Sequence, residues 1–416
     1  MTSTDSSRPA APAPPAPTAR RLPDLRYQEA EEDLRSAVRD LLDDKSPWPA
    51  VLARTESDEP NDAALWHSLA ADLGCAGLLI PESYRGAGAG YREAAVVAEE
   101  TGRAVAPVPY LGSAVVATAA LLGAGGDELL AGLAEGRLTA AVAVEFARMP
   151  PASVPAARGA GGAGGVAGAG LGGGVRVGAA QPGDPEGQAR LTGTVTGVAD
   201  ALLADVLLVP ADGVPFGLYA VDAGAPGVAR TAVVSLDATR PLCDLAFDSA
   251  AARAVATGEA AAQAVASALA AGAAMLASEQ LGVAQRCLDM TVAYLKERRQ
   301  FARPIGSFQA LKHRVADVWI QVTQARAAAR YAAACLADDD PDTPVAIALA
   351  KAACGDAAVH AAEECVQMHG GIGFTWEHPA HLLLKRAKSG AMAFGTPDRH
   401  RAALARLVDL PPAPAG

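Results

Sequence analysis

Apolar residues first recur along the chain at helical spacing. Leu34, Val38, Leu41 and Leu42 fall on one stripe, and Leu65, Leu69 and Leu73 on another. Residues 26–137 therefore read as a helical domain in which each segment buries one face. The stretch Pro81-Glu-Ser-Tyr-Arg-Gly-Ala-Gly-Ala-Gly90 interrupts this pattern. Its G-x-G-x-G could be taken for a phosphate cradle. No β-branched strand leads into it and no complete G-x-G-x-x-G is present, which favours a loop between helices.

Over residues 138–249 the pattern changes to short apolar runs, Ala141–Val144, Val206–Val209, Leu218–Val221 and Val233–Leu236, parted by Gly, Pro and Asp. These predict a small β domain. Within it, residues 156–174 are almost wholly Ala and Gly. So little apolar surface cannot offset the entropy of ordering the run, so it reads as a flexible loop, and its lack of Lys, Ser or Thr argues against phosphate binding. Over residues 250–408 helical spacing returns in long segments, 259–300, 309–336 and 342–368. With a closing segment these suit an antiparallel four-helix bundle. Residues 1–25, rich in Pro, Ala, Ser and Thr, and residues 409–416 read as tails. The expected fold is α+β: helical domain, middle β domain, helical bundle.

Composition narrows the function classes. A chain of 416 residues can bury a large core in two or three units. Apolar residues make up 51% of it but aromatic ones only 4%, because Ala and Gly supply the bulk. Alanine-rich faces let helices approach closely. The net charge of -11 argues against nucleic acid or an anionic membrane surface as the main partner. No stretch of about eighteen apolar residues runs free of polar interruption, so no membrane helix is expected. The amino-terminal tail lacks the apolar region of a secretory signal, and the six cysteines are scattered without metal-ligand spacing. Reduced, buried thiols, no metal site and a cytoplasmic location are the expectations.

Two segments carry chemistry. The first runs Glu297-Arg-Arg-Gln-Phe-Ala-Arg-Pro-Ile-Gly-Ser-Phe-Gln309. A helix ends there in cationic residues, turns at Pro304 to Gly306 and reopens near Gln309. Arginine can neutralise a diphosphate and glutamine can bond a phosphate or ribose, although arginines also complement a helix C-terminus. The second is Gln367-x-x-Gly370-Gly371-x-Gly373-Phe374, with Glu377 and Pro379 behind it and Phe394-Gly395-Thr396 further on. Its paired glycines permit close backbone approach and unusual dihedrals.

Together, the two segments resemble the acyl-CoA dehydrogenase family in an actinobacterial-type form, and the likeness spans roughly residues 30–405. The loop at 81–90 resembles the family's Pro-Glu-x-x-Gly-Gly-x-Gly loop. The resemblance implies FAD as cofactor, with Arg298, Phe301, Gln309, Gln367, Gly370 and Gly371 cradling the ADP half of an FAD bound mainly by a neighbouring subunit. It implies an acyl-CoA or acyl-carrier thioester as substrate and an electron-transfer flavoprotein or similar acceptor.

The likeness breaks on the side expected to meet the flavin ring. The usual hydroxyl-bearing loop after the first β strand is Glu145-Phe-Ala-Arg-Met-Pro150, and no tryptophan lies near 193–201, where a Trp-x-Thr is expected. Ala302 replaces a usual glycine, and Arg386 stands where an acidic residue is expected. The glutamate that usually precedes the final Gly-Thr and acts as the base is Phe394. The alternative base position, on the first bundle helix ten residues before Gly282, is Gly272. Glu279 is then the carboxylate to consider as a relocated base, ahead of Asp398 and Glu364. His369 and His378 suit cofactor contact or structural hydrogen bonds better than acid–base work. Three readings follow: a base-deficient subunit of a hetero-oligomer with a related acyl-CoA dehydrogenase subunit, a self-sufficient dehydrogenase using Glu279, or a non-redox thioester-binding or assembly protein.

Overall fold

The structure, a computed structural model, describes residues 23–57, 59, 61–151, 171, 173–179, 185 and 188–411. Most of the 1–25 tail, most of the Ala/Gly run at 156–174 and the last five residues lie outside these. Helices α1 (Glu29–Lys45), α2 (Trp48–Thr55), α3 (Ala63–His67), α4 (Tyr91–Ala104), α5 (Thr118–Gly123) and α6 (Leu129–Ala134) come first, with π-helical turns over Ser68–Asp72 and Tyr110–Ala117. Val38 and Leu42 form the buried stripe of α1. Its other contacts to α4 are ionic: Arg35 donates to Glu99 at 2.7 Å, and Arg39 forks onto Glu100 at 2.6 and 2.9 Å. Leu65 and Leu69 are buried, but Leu73 is 37% exposed. The π turn between them widens the helix and carries Leu73 off the stripe.

Strands β1 (Ala140–Val142), β2 (Val175–Gly178), β3 (Gln188–Ala199), β4 (Val206–Ala211), β5 (Gly217–Asp222), β6 (Val228–Val233) and β7 (Leu242–Thr257) make one sheet. β7 is central: β3 pairs along one edge, while β6 and then β5 pair along the other. β1 joins β4 in parallel and the remaining pairs are antiparallel. Alternation along β4 sends Leu208 toward the helices, and Leu207 and Val209 into a second core on the opposite face.

Two strand expectations need correction. β6 stops at Val233, leaving Val234 and Leu236 exposed, because the chain must reach a buried turn at Asp237–Arg240. At the other end, β7 runs on through the alanine-rich 250–257, which by spacing alone reads as helix. There Ala250 pairs with Leu191 and Ala256 with Leu218, so sheet pairing overrides alanine's helix propensity.

The bundle consists of α7 (Gly258–Glu297), α8 (Gln309–Ala337), α9 (Thr343–His369) and α10 (Ala380–Met392), with α11 (Pro397–Leu407) packed on α9. A short hairpin, β8 (Arg299–Gln300) and β9 (Arg303–Pro304), joins α7 to α8. Small residues set the helix spacing. A Cβ at Gly282 of α7 would lie 1.8 Å from the Glu99 carbonyl oxygen of α4, and one at Gly102 would lie 2.1 Å from that of Glu279. Alanine also raises hydropathy, so Gly258–Glu297 and Thr343–Phe374 are long and apolar enough to cross a bilayer, contrary to the reading from uninterrupted runs. Their apolar windows are 83% and 67% buried inside the protein, as bundle-core helices must be.

Candidate functional site

One end of the bundle gathers the six residues expected to cradle a nucleotide. Tyr294 in the last turn of α7 stacks on His369 at the end of α9, with ring centroids 4.5 Å apart. α8 begins at the same end, immediately after the hairpin. Arg298, Phe301, Gln309, Gln367, Gly370 and Gly371 therefore surround one surface, and all six are exposed. Gly370 has φ 62, and nothing lies within 4 Å of the position a Cβ would take at either glycine. An open backbone shelf of this kind allows close approach of a phosphate. If the ADP half of FAD binds at this end, Arg298 and Gln309 would be its donors and Gly370 and Gly371 its shelf.

The hairpin carries strain. Phe301 and Ala302 have φ 50 and 62 in a two-residue loop, a geometry that favours Asn-Gly, and Phe301 is 86% exposed. Ala302→Gly is expected to stabilise the protein by on the order of 1 kcal/mol, since the left-handed conformation costs a residue with a Cβ about 1–2 kcal/mol. Equilibrium denaturation of the two proteins measures it, and an unchanged or lower midpoint would show that the turn is not strained.

The opposite side of the bundle meets the sheet at a crevice of about 970 Å³, lined by Glu145, Phe146 and Ala147 after β1, Gly197 of β3, and Met392, Ala393 and Asp398 around the ends of α10 and α11. Phe394, with φ 52, closes its inner wall and is 3% exposed. The Phe394 N–H donates to the Phe146 carbonyl at 2.8 Å, and the Phe146 N–H donates to Gly197 at 3.0 Å. The two phenyl rings meet edge to face at 5.4 Å. Gly272 lies directly against this plug: a Cβ there would be 2.6 Å from Phe394 Cζ. The two expected base positions thus face each other and form one apolar contact. The space left between Phe394, Phe146, Leu111, Val116 and Val144 is about 20 Å³, room for no more than a water.

Carboxylates line the outer crevice: Glu145, Asp356, Glu363 and Asp398 stand against one lysine, Lys388, which pairs with Glu363 at 2.6 Å. Neither Glu145–Ala147 nor Gly197 presents a side-chain hydroxyl or an indole. The hydroxyls that line the crevice come from Ser235 and Ser389 instead.

Glu279 is not placed to act as a base. It is 3% exposed and receives Arg240 at 2.6 and 3.1 Å and Arg386 at 3.1 Å. Burial opposes its charge, but the two guanidiniums outweigh burial and hold its pKa down at about 2. Arg386 also reaches Asp237 at 2.8 Å, Thr239 Oγ1 at 2.7 Å and the carbonyl of Ala106. Two arginines and two carboxylates make a neutral set that ties the helical domain, the β6–β7 turn and the bundle together. The third carboxyl nearby, Asp200, has its pKa raised by burial while accepting the Gly112 N–H at 3.1 Å. Glu364 is forked by Arg314 at 2.6 Å, and Asp398 pairs with Arg401 at 2.7 Å on the surface. His369 points inward, its Nδ1 2.6 Å from the Cys365 carbonyl, and its ring lies 4.3 Å from that of His378.

Sequence reading noted Arg386 as a departure without its compensation. The signal was available: an acidic position turned basic calls for extra carboxylates elsewhere, and Glu279 and Asp237 supply them. Phe146 as the partner of Phe394 had no such signal, because only the fold brings the two together. Among the described residues, no group of three or more His, Cys, Asp or Glu is arranged to hold a metal.

The chain matches the family models described as Acyl-CoA dehydrogenase, N-terminal domain, over residues 28–136, and Acyl-CoA dehydrogenase, C-terminal domain, over residues 261–408. It is 33% identical over 375 residues to Acyl-CoA dehydrogenase IpdE2 of Mycobacterium tuberculosis, covering 89% of this chain and 94% of that protein. Among solved structures it is similar to the ChsE4-ChsE5 complex from Mycobacterium tuberculosis, with a TM-score of 0.78 and 30% identity over 94% of this chain and 100% of that one. It is also similar to a variant of the Tcur3481-Tcur3483 steroid ACAD, with a TM-score of 0.76 and 31% identity over 92% and 98%. Likeness at this level, along nearly the whole length and in both terminal domains, makes the chain a member of the acyl-CoA dehydrogenase family, whose members are FAD-binding oxidoreductases acting on CH–CH bonds.

Proposed function

We propose that this chain is the base-deficient subunit of a hetero-oligomeric acyl-CoA dehydrogenase whose substrate is a thioester of a bulky, steroid-like acyl group. One observation carries the reading: Phe394 lies on Gly272, so both places for a base are occupied by a single hydrophobic contact that also closes the space an acyl chain would need. The self-sufficient alternative needs a free carboxylate, and Glu279 is bound by two arginines. The chemistry FAD would supply when bound is acceptance of hydride from the β carbon of the thioester, with a base taking the α proton. In this reading the related partner supplies that base and the ring pocket. This chain contributes Arg298, Phe301, Gln309, Gln367, Gly370 and Gly371 to the ADP half of the partner's cofactor. The ChsE4-ChsE5 complex supports the pairing, and the Tcur3481-Tcur3483 steroid ACAD supports both the pairing and the substrate class.

Purified alone, the chain is expected to show no flavin absorbance and no turnover. Copurified with a related subunit encoded beside it, it is expected to carry flavin that a suitable thioester bleaches. Active, flavin-loaded protein from this chain alone would overturn the reading. A flavin-loaded pair that no thioester bleaches would instead favour a thioester-binding or assembly role.

A further inference from the structure

A second cavity, of about 340 Å³, lies where the α1–α2 junction and the end of α4 meet α7 and the start of α10, and it shares no lining residue with the crevice. Trp48, Met290 and Leu382 line it as apolar walls, and two arginines, Arg103 and Arg286, share it with a single acid, Asp43. Neither arginine makes a hydrogen bond to the protein among the described residues. The nearest carboxylate oxygens to Arg103 belong to Glu100 at 3.7 Å and Asp289 at 3.9 Å, too far for hydrogen bonds, and its Nη1 is buried without a partner. Arg286 makes no ion pair or hydrogen bond among the described residues. Burial, and then the adjacent charge of Arg103, pull the Arg286 pKa below its ordinary value. Arg103 sits in the last turn of α4, where its charge complements the helix end. That role explains neither Arg286 nor the cavity beside it.

Two half-buried guanidiniums on one apolar cavity, neither hydrogen-bonded to the protein and one with a buried unpartnered nitrogen, suit an oxyanion that displaces water from between them. Asp43 on the wall opposes a second negative charge, which favours a carboxylate over a phosphate. We propose that this cavity binds a monoanionic carboxylate on an apolar stem, the carboxylate between Arg103 and Arg286 and the stem against Trp48, Met290 and Leu382. The ligand bridges the helical domain and the bundle and stabilises the folded protein in proportion to its occupancy. The site is independent of the proposed subunit role.

The test uses the whole chain, with octanoate and inorganic phosphate as probes in calorimetric titration and thermal unfolding. Octanoate is expected to bind saturably and raise the melting temperature, and phosphate is expected to bind more weakly. Arg286→Met should weaken octanoate binding by about 10- to 100-fold, the range for losing a charge-assisted hydrogen bond in a buried site. Met290→Trp, which fills the cavity and leaves both arginines in place, should weaken it as well. Melting curves of the unliganded variants confirm that each is folded. No saturable binding, phosphate binding without octanoate binding, or octanoate affinity unchanged in both variants would overturn the assignment.

Discussion

Replacing Glu279 by glutamine is expected to cost about 3–5 kcal/mol of stability, the usual price of stranding a buried charge partner. The amide leaves Arg240 and Arg386, both nearly inaccessible to solvent, against Asp237 and an Asp200 whose burial already opposes ionisation. The same pair sets an acid limit. The folded-state pKa of Glu279 is about 2, below its ordinary 4.5. Its stabilising charge is therefore fully present above about 4.5 and is lost as pH falls from there toward 2. Wild-type unfolding in denaturant should show this loss, and Glu279→Gln should lack it. Turnover of the assembled enzyme, normalised to folded protein, should not change. A folded Glu279→Gln assembly slowed by a hundred- to ten-thousand-fold would instead identify a general base.

Phe394 supports the second large effect. Phe394→Ala is expected to destabilise the chain by about 3–5 kcal/mol, because it removes a buried ring packed on Phe146 and Gly272. Phe394→Glu, which restores the family's residue at this position, is expected to lose comparable stability and yield no turnover in the chain alone. The new carboxyl would emerge into a space of about 20 Å³ walled by apolar groups, beside a crevice that lacks the ring's usual partners. Flavin binding and turnover gained by that single substitution would overturn the subunit reading. Loss of stability without activity is the expected pair of results.

Much of the fold was visible as periodicity. Val38 and Leu42 point inward as their spacing requires, and the long bundle helices end within a few residues of where the helical pattern stops. Errors fell where distant pairing beats local preference. Residues 250–257 look helical because they are mostly alanine, but β3 and β5 hold them in β7. Val233–Leu236 looks like a strand from four residues, yet the chain is drawn off the sheet by the buried turn that serves Arg386. The residues expected at the nucleotide end could be named from sequence because they occupy two short segments. Of the ionic set around Glu279 only the departure at Arg386 was legible, because the groups that answer it come from two domains and no local pattern relates them.

The sequence by itself determined the helical, β, helical order, the glycine pair at 370 and 371, and the absence of a carboxylate at 394. These are matters of repeat spacing and side-chain chemistry, which do not depend on neighbours far along the chain. Only the tertiary structure decided that Phe394 lies against Gly272, that Glu279 is neutralised by Arg240 and Arg386, and that Arg103 and Arg286 share a cavity. Packing and Coulomb energy act through space, and a residue's charge or size becomes a function only when folding chooses what stands opposite it.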